Sequence, residues 1–256
     1  MPTDNLIKRN VSNNFGKAQH SYDSYGSVQN KTAQELLACV VKRMGSKKIQ
    51  KILEIGCGTG FLSKHILNHF KESQFFVTDI AQPLVQQCHA SLSNITAIVC
   101  DGESLPLERS FKLDLIIANM AFQWFFDFEL SIDRLFNQTK MLAFSIPIEG
   151  SFETWCNAHQ LLAIQNRMLK FYSYTQLEAI LKALKPKRLS INVIDISYEV
   201  ASAIELLKYL KKLGANTNLN GDRYKIFELR SLCKLIDASK GKDLANYKIA
   251  ICVLER

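Results

Sequence analysis

An acidic residue followed by three closely spaced glycines is the strongest chemical signal in this chain. Glu54 ends an apolar run, and Gly56, Gly58 and Gly60 follow it. Glycine permits a sharp turn and lets a bound ligand approach the backbone, because it has no Cβ atom. The apolar run is typical of a buried parallel strand. These residues therefore predict a strand, a ligand-binding turn and a following helix.

The spacing of the glycines argues against two other nucleotide-binding motifs. They occur as G-x-G-x-G, whereas the dinucleotide fingerprint requires G-x-G-x-x-G, and Phe61 stands where its last glycine would be. The chain also lacks the G-x-x-x-x-G-K-[ST] sequence that cradles phosphates. A pyrophosphate site is therefore the weaker interpretation.

Polar side chains end the next apolar runs in the same way. Asp79 follows one short run, Asp101 follows a second and Asn119 follows a third. A carboxylate can accept both hydroxyl protons of a ribose diol, which suits Asp79 at the end of its strand. Since the carboxyl ends of parallel strands meet at one edge of a sheet, we expect one ligand to lie along these strand ends, beginning at Glu54.

Strand-like and helix-like segments alternate between residues 51 and 146. Such alternation predicts an α/β fold with a parallel sheet, right-handed crossovers and helices on both faces. The expected strands are Lys51–Ile55, Gln74–Asp79, Ile95–Cys100, Leu113–Ala118 and Met141–Ile146. The expected helices are Phe61–Phe70, Pro83–Ser91 and Glu129–Asn137.

The pattern becomes mostly helical after Gly150. Two more strands are expected at Leu189–Tyr198 and Tyr247–Leu254. Helical periodicity covers Phe152–Leu169, Thr175–Leu184, Ala201–Leu213 and Tyr224–Ala238. Because the helices at about 151–170 and 200–240 exceed what the sheet needs, we predict that they form a lid over a substrate site.

The N-terminal part has a different composition. Residues 14–26 mix aromatic, polar and glycine residues, which suits a flap over a ligand better than a core element. Val28–Met44 has helical spacing and should pack on the sheet before its first strand. We therefore predict one domain spanning residues 1–256, with residues 1–28 as the flap.

Composition narrows the class of protein. The 256 residues are 47% hydrophobic, which is enough for a proper core. No run approaches the length of a membrane span, and the first residues do not resemble a secretory signal. The seven cysteines are scattered without a C-x-x-C pair and are expected to be reduced and buried. These features predict a soluble, cytoplasmic protein without a membrane association.

The net charge of +8 is unevenly distributed. Residues 1–150 contain 15 Lys and Arg against 14 Asp and Glu, whereas residues 151–256 contain 17 against 10. The excess is explained either by ordinary solvated helix faces or by a surface that attracts an acidic partner. No nucleic-acid-binding signature is present, so a small acidic carrier protein is favoured over a nucleic acid.

With these residues in view, the chain resembles the S-adenosylmethionine (SAM)-dependent methyltransferases with a seven-stranded Rossmann-like sheet. Within them it is similar to the malonyl-acyl-carrier-protein O-methyltransferases of biotin synthesis, from about residue 13 to the end. The motifs that carry the resemblance are Phe15-Gly16-Lys17-Ala18, Tyr22-Asp23, Gln29, Asp101-Gly102-Glu103-Ser104-Leu105-Pro106, Asn119-Met120-Ala121-Phe122-Gln123-Trp124, Phe144 to Phe152 and Leu213-Gly214-Ala215-Asn216.

The resemblance implies methyl transfer from SAM to the free carboxylate of a malonyl thioester, with S-adenosylhomocysteine as the other product. The thioester would be carried by an acyl carrier protein or by coenzyme A. Alternatives are a SAM methyltransferase for another small carboxylate or a quinone, and a methyltransferase-like assembly factor for a respiratory complex.

The resemblance also implies roles for individual residues. The expected cofactor-binding residues are Glu54, Gly56, Gly58, Gly60, Asp79, Ile80, Asp101, Gly102 and Asn119. Tyr22, Gln123 and Trp124 are expected at the reacting methyl group and the acceptor. The malonyl carboxylate needs a cation or a set of donors, for which Arg134, Lys211 and Arg223 are candidates.

A metal ion is not expected. His65 and His69 are spaced four apart, as metal ligands can be, but the glutamate of the H-E-x-x-H motif and a third ligand are missing.

Overall fold

A computed structural model describes residues 2–45, 47–108, 111–217, 224–239 and 243–256. The described residues form one seven-stranded sheet flanked by helices. The strands are β1 Lys51–Ile55, β2 Gln74–Asp79, β3 Thr96–Val99, β4 Leu113–Asn119, β5 Thr139–Pro147, β6 Arg188–Tyr198 and β7 Ala245–Glu255. The helices are α1 Pro2–Tyr25, α2 Ser27–Met44, α3 Phe61–His69, α4 Gln82–Ser91, α5 Phe128–Asn137, α6 Glu153–Leu161, α7 Tyr174–Ala183, α8 Ala203–Lys212 and α9 Ile226–Asp237.

The strand order is β3-β2-β1-β4-β5-β7-β6. The pairs among the first five strands are parallel, as the alternation predicted. The sequence predicted no direction for the last two strands; β7 enters between β5 and β6 and runs antiparallel to both. The order reverses beside β1, and in open α/β sheets ligands bind at such a point, outside the carboxyl ends of the strands.

The inner strands of the sheet are buried on both faces, which explains their continuous apolar runs, whereas the edge strands β3 and β6 are partly exposed. In β4, Leu115 and Ile117 join the core beneath α2 and α3, whereas Ile116 and Ala118 join the core beneath α5 and α7. A fully buried aliphatic side chain contributes about 1.5–3 kcal/mol relative to an exposed one. These paired cores hold the central strand ends in fixed positions.

The N-terminal region, which was predicted to be a flap over a ligand, is a long helix. Helix α1 is continuous from Pro2 to Tyr25, and it buries Val11 and Ala18. Ser12 Oγ donates a hydrogen bond to the Ile80 carbonyl oxygen (3.0 Å), and Ser21 Oγ donates to the Lys212 carbonyl oxygen (2.8 Å). The helix therefore spans from the end of β2 to the end of α8.

The region after Gly150 also differs from the prediction. The expected helix Phe152–Leu169 ends at Leu161, and Ala163 adopts a positive φ of 52° that no helix continues through. The chain then runs without regular structure to α7. Within the described ranges, none of the helices combines the length and apolar character needed to cross a membrane. All seven cysteines are free; three are buried and four are partly exposed.

Candidate functional site

The glycine turn after β1 depends on backbone conformations that glycine adopts readily. Gly56, Gly58 and Gly60 have φ values of 74°, 54° and 96°. A Cβ atom on Gly56 would lie 2.5 Å from the Ala121 Cβ. The Gly56 and Cys57 amides both donate to the Thr78 carbonyl oxygen, at 2.7 and 2.9 Å. The turn is thereby tied to the end of β2.

Asp79 sits at that end with both carboxylate oxygens held by backbone amides. Its Oδ2 accepts from the Gly58 amide (3.0 Å), and its Oδ1 accepts from the Ala81 amide (2.8 Å). Burial raises the pKa of Asp79, and the backbone hydrogen bonds offset only part of that effect. Because each carboxylate oxygen has a second lone pair, Asp79 is a positioned acceptor with capacity left for a ligand.

Glu54 and Gly60 were expected to bind the cofactor, but neither lines the cavity at the strand ends that is described next. Ser63 Oγ in α3 donates to Glu54 Oε2 (2.6 Å), and burial raises the pKa of this carboxyl well above its ordinary range. Gly60 faces Cys88 and Leu92.

A first cavity, of about 90 Å³, lies at the carboxyl ends of β1, β2 and β4. We call it the sheet-edge cavity. It brings together most of the residues singled out from the sequence. Its lining is Lys8, Val11, Phe15, Tyr22, Ile55, Gly56, Gly58, Asp79, Ile80, Leu84, Cys100, Asp101, Gly102, Asn119, Met120, Ala121, Trp124 and Phe125.

Lys8 closes one side of the sheet-edge cavity from helix α1. Its Nζ lies 2.5 Å from Asp101 Oδ2 and 2.7 Å from Glu103 Oε2. Burial acts to lower the pKa of Lys8, but the hydrogen bonds to the two carboxylates outweigh it and raise the pKa above its ordinary value. Sequence analysis did not identify Lys8, because a lysine in a polar N-terminal segment carries no motif.

Asn119 connects the end of β4 to helix α2. Its Nδ2 donates to the Gln29 carbonyl oxygen (3.0 Å), and its Oδ1 accepts from Ser145 Oγ (2.8 Å). Ser145 Oγ also accepts from the Met120 amide (2.9 Å), where the chain takes a positive φ of 50°. This network fixes the chain direction just before Gln123 and Trp124.

A second cavity, of about 390 Å³, adjoins the first. We call it the aromatic cavity. The two share Phe15, Tyr22, Met120 and Trp124. The remaining lining consists of Gln29, Gln123, Pro147, Phe152, Trp155, Arg167, Met168, Leu169, Phe171, Leu207, Leu210, Leu213, Ala215, Asn216, Thr217, Tyr224, Leu229 and Tyr247.

The wall between the cavities is aromatic and comes from separate parts of the chain. The Phe15 ring from α1 meets Trp124 edge to face, with centroids 5.5 Å apart, and Tyr22 packs 6.1 Å from Phe61. Burial first, and then nearby acids led by Asp79, raise the pKa of Tyr22 far above its ordinary value. Its phenol therefore stays protonated at neutral pH and is no general base.

Two glutamine side chains present unused acceptors beside the aromatic cavity. Gln123 Nε2 donates to the Met120 carbonyl oxygen at 2.5 Å. Gln123 Oε1 and Gln29 Oε1 are both buried and find no hydrogen-bond donor among the described residues. A buried oxygen without a partner costs about 1–3 kcal/mol, so both positions favour a ligand that donates or carries positive charge.

Two of the cations proposed for the acceptor carboxylate, Arg134 and Lys211, are not in the lining of either cavity. Arg134 Nη2 donates to the carbonyl oxygens of Gly102 and Glu103, at 3.3 and 2.5 Å, behind the sheet-edge cavity. Lys211 is exposed on α8, and Arg223 falls outside the described residues.

Among the described residues, the charged one in the lining of the aromatic cavity is Arg167, which sequence analysis missed. The prediction had placed it on a helix, where it would be an ordinary solvated arginine. A usable signal was Asn166, whose Oδ1 accepts from the Met168 amide (3.0 Å), because asparagine favours such local turns.

The sheet-edge cavity suits a cofactor that carries a ribose. It offers one fixed carboxylate at Asp79, and a Cβ at Gly56 would disrupt the turn that borders it. In the described part of the chain, no three His, Cys, Asp or Glu side chains cluster in a way that could hold a metal ion. His65 Nε2 lies 3.0 Å from Asn30 Oδ1.

Comparison with solved structures agrees with the fold. The YcgJ protein of Bacillus subtilis superposes with a TM-score of 0.57 at 13% identity, covering 87% of this chain and 99% of that one. The plantazolicin methyltransferase BamL, solved with S-adenosylhomocysteine, gives a TM-score of 0.57 at 13% identity and covers 98% of each chain. Both similarities concern the fold.

Sequence comparison identifies the family. A methyltransferase domain family matches residues 52–140. The chain is 24% identical to the malonyl-[acyl-carrier protein] O-methyltransferase of Neorickettsia risticii (strain Illinois), over 96% of each chain. It is 30% identical to malonyl-[acyl-carrier protein] O-methyltransferase 2 of Coxiella burnetii (strain RSA 493 / Nine Mile phase I), over 86% of this chain and 87% of the relative. The chain therefore belongs to the malonyl-[acyl-carrier protein] O-methyltransferase family, and it is a methyltransferase that uses SAM.

Proposed function

We propose that this enzyme methylates the free carboxylate of a malonyl thioester, which would give the methyl ester that primes pimeloyl and biotin synthesis. The observation that carries the proposal is the pair of cavities with a shared wall of Phe15, Tyr22, Met120 and Trp124. One cavity has the polar groups that a ribose-bearing methyl donor needs, and the other has room for an acyl chain. The names of the relatives support malonyl as that acyl group.

The sheet-edge residues would hold SAM. In this proposal Asp79 accepts the ribose hydroxyls, with Gly56 and Gly58 against the ribose and methionine portions. Asp101 and Gly102 border the adenine, with Ile80 beside them. Asn119 lies at the amino-acid end, where it orients the chain that leads to Gln123 and Trp124. The buried Gln123 oxygen is suited to face the cationic sulfonium end.

The reaction would need no general base from the protein. SAM would supply the methyl group. The ionised carboxylate oxygen would form a bond to the methyl carbon as the carbon–sulfur bond breaks. The electron pair of the broken bond stays on sulfur, and no proton is released. Carboxyl groups of this kind have a pKa of about 4, so the acceptor is ionised near neutral pH. Tyr22 stays protonated, which agrees with a positioning role for this residue.

The contribution of the protein would then be alignment and exclusion of water. Opposite charges on acceptor and donor are neutralised as the methyl group moves, so an apolar wall favours the transition state over the separated ions. Trp124 and Phe15 form that wall. Lid-forming segments near 151–170 and 200–240, together with α1, would cover the reacting groups within a single domain.

We further propose that the basic second half of the chain docks an acidic acyl carrier protein in the cytoplasm. The excess of 17 Lys and Arg over 10 Asp and Glu in residues 151–256 supports this. Exposed charges are screened over about 10 Å at 0.1 M salt. Activity on malonyl-carrier protein should therefore fall with rising salt, whereas activity on a small malonyl thioester should change much less. Equal salt responses would contradict docking.

The substrate test uses purified protein, SAM and malonyl-carrier protein, with mass spectrometry of the carrier. The expected product is a methyl ester, and acetyl-carrier protein, which has no free carboxylate, should stay unmodified. Methylation of another carboxylate or a quinone in place of malonyl would redirect the assignment. Absence of transfer together with co-purification of a respiratory-complex subunit would indicate an assembly factor instead.

A further inference from the structure

The aromatic cavity contains one charged side chain within the described part of its lining. Arg167 is surrounded there by aliphatic and aromatic residues and a few neutral polar groups. Its side chain is only 11% exposed. A guanidinium in such a setting is seldom a plain surface charge, because lysines and arginines are almost never buried without a partner.

The guanidinium of Arg167 has hydrogen-bonding capacity that the protein does not use. Nη1 donates to Glu228 Oε2 (3.0 Å), and the group stacks on the Tyr224 ring, with Cζ 4.5 Å from the centroid. Nε is buried and has no acceptor among the described residues. An arginine has five N–H donors in a planar fork that matches a carboxylate bidentately. A carboxylate in the cavity would satisfy the donor that Glu228 leaves free.

A chain of hydrogen bonds fixes the backbone that carries this side chain. The Arg167 amide donates to the Tyr224 hydroxyl (3.1 Å), which lies 2.8 Å from His159 Nε2, while His159 Nδ1 lies 2.8 Å from the Trp155 carbonyl oxygen. Since a carbonyl oxygen only accepts, the proton of a neutral His159 is on Nδ1, and the Tyr224 hydroxyl donates to Nε2. Burial, and then the charge of Arg167, lower the pKa of His159, which agrees with a neutral ring.

We propose that Arg167 binds the free carboxylate of the acyl substrate and so distinguishes it from the methylated product. This rests on the proposed function, because it names the residue that recognises the malonyl group in the aromatic cavity. The carboxylate pairs with the guanidinium before transfer. After transfer the ester is neutral and has lost the charge that held it, which favours product release.

The test measures binding rather than turnover. Calorimetry follows a small malonyl thioester, and its methyl ester, titrated into full-length protein saturated with S-adenosylhomocysteine. Arg167→Gln should weaken malonyl thioester binding at least tenfold, as expected for loss of a charged hydrogen bond. It should change binding of the methyl ester less than twofold. Arg167→Lys should restore part of the loss.

Two further variants separate recognition from a structural ion pair. Glu228→Gln removes the competing anion and should bind the malonyl thioester no less tightly than the unsubstituted protein. If the ion pair only supported the fold, Glu228→Gln and Arg167→Gln would weaken both ligands alike, and that result would overturn the proposal. Arg230→Gln, at an exposed position of α9, is the matched charge control and should leave both affinities unchanged.

The binding test also distinguishes the two proposals. Binding of the malonyl thioester that depends on Arg167, without formation of a methyl ester, would uphold carboxylate recognition and reject the proposed reaction. Formation of the ester with full activity and unchanged malonyl affinity in Arg167→Gln would reject the role of Arg167 alone. Retained affinity for S-adenosylhomocysteine shows that each variant is folded.

Discussion

The two adjoining cavities take their walls from different parts of the chain. The sheet-edge cavity is built mainly from turns that directly follow β1, β2 and β4, and two of its polar side chains, Asp79 and Asn119, form hydrogen bonds with the backbone. The aromatic cavity collects side chains from α1, from the irregular segment before α7 and from α8 and α9. In our proposal the sheet edge provides the cofactor site, and the helices around it provide the substrate site.

This contrast predicts that changes at the sheet edge affect the cofactor first. The largest effect is expected for Gly56→Ala, because the new Cβ would meet Ala121 at 2.5 Å while the residue keeps a positive φ. Strain and overpacking together should lower the free energy of unfolding by about 3–5 kcal/mol. SAM binding should be lost in calorimetry.

Gly45→Ala is the matched control for this substitution. Gly45 also has a positive φ, but no atom lies within 4 Å of its built Cβ. It should cost only the backbone strain, about 1–3 kcal/mol, and leave SAM binding intact. Equal effects of the two substitutions on SAM binding would break the link between Gly56 and the sheet-edge cavity.

Asp79→Asn should have the next largest effect. The amide keeps one oxygen for the backbone but loses the charge that favours the ribose hydroxyls. SAM affinity should fall by about 1.5–3 kcal/mol, measured by calorimetry. Asp114→Asn is the control, since Asp114 caps the Gln50 and Lys51 amides at the opposite end of the sheet. A loss of affinity in the control, or none in Asp79→Asn, would contradict the assignment.

Substitutions in the aromatic cavity should affect the malonyl thioester and leave SAM binding unchanged. Leu210→Ala removes part of the cavity wall that α8 provides. The KM for the malonyl thioester should rise by a factor that corresponds to about 1–2 kcal/mol of binding free energy, with SAM affinity unchanged. Ile204, 53% exposed on the same helix, provides the control substitution Ile204→Ala. Steady-state kinetics in both substrates would show the difference. A matching loss of SAM affinity would contradict separate roles for the two cavities.

A smaller effect is expected where α1 closes the sheet-edge cavity. Lys8→Met removes the ion pairs to Asp101 and Glu103. The Lys8 side chain in these pairs is 20% exposed. Such partly exposed pairs contribute about 1 kcal/mol or less. SAM affinity should fall about threefold, and the loss should shrink at high salt. Lys17→Met, on an exposed part of α1, should leave the affinity unchanged.

The smallest effect concerns Glu54, which lies behind the turn. Burial raises its folded pKa, so the stability it contributes is present at low pH and is lost as pH rises from about 4, the value in the unfolded chain, through the folded pKa. Glu54→Gln removes that titration. Urea unfolding across pH should show a shallower decline in the variant, while Glu35→Gln, at an exposed position of α2, keeps the original slope. An unchanged slope in Glu54→Gln would contradict a raised pKa.

The sequence predicted the residues of the sheet-edge cavity better than those of the helices around the aromatic cavity. Glycines at positive φ and acids at strand ends leave a local pattern, and Asp79 and Asp101 were placed from it. The same pattern gave the position of Glu54 but not the side to which it points, because Ser63 that binds it comes from the next helix. The direction of β7 was also hidden, since periodicity is equal in parallel and antiparallel strands.

The aromatic cavity depends on contacts between distant segments, which leave no local signal. Arg167 reaches it only because α6 ends at Leu161 and the chain turns back toward Tyr224. Phe15 faces Trp124 because α1 lies across the strand ends, where Gly214 allows close approach to its backbone. The positions of Arg167 and Phe15 depend on tertiary packing. Helical periodicity alone predicted a helix to Leu169, whereas α6 ends at Leu161.

The most direct test of carboxyl methylation follows an isotopic label. The enzyme is incubated with malonyl-carrier protein and SAM that carries a deuterated methyl group, and the acyl chain is analysed by mass spectrometry before and after mild alkaline hydrolysis. We predict one deuterated methyl group per acyl chain, present as an ester and released by alkali. A label that survives hydrolysis, or a malonyl group that stays unlabelled while SAM binds, would contradict the account.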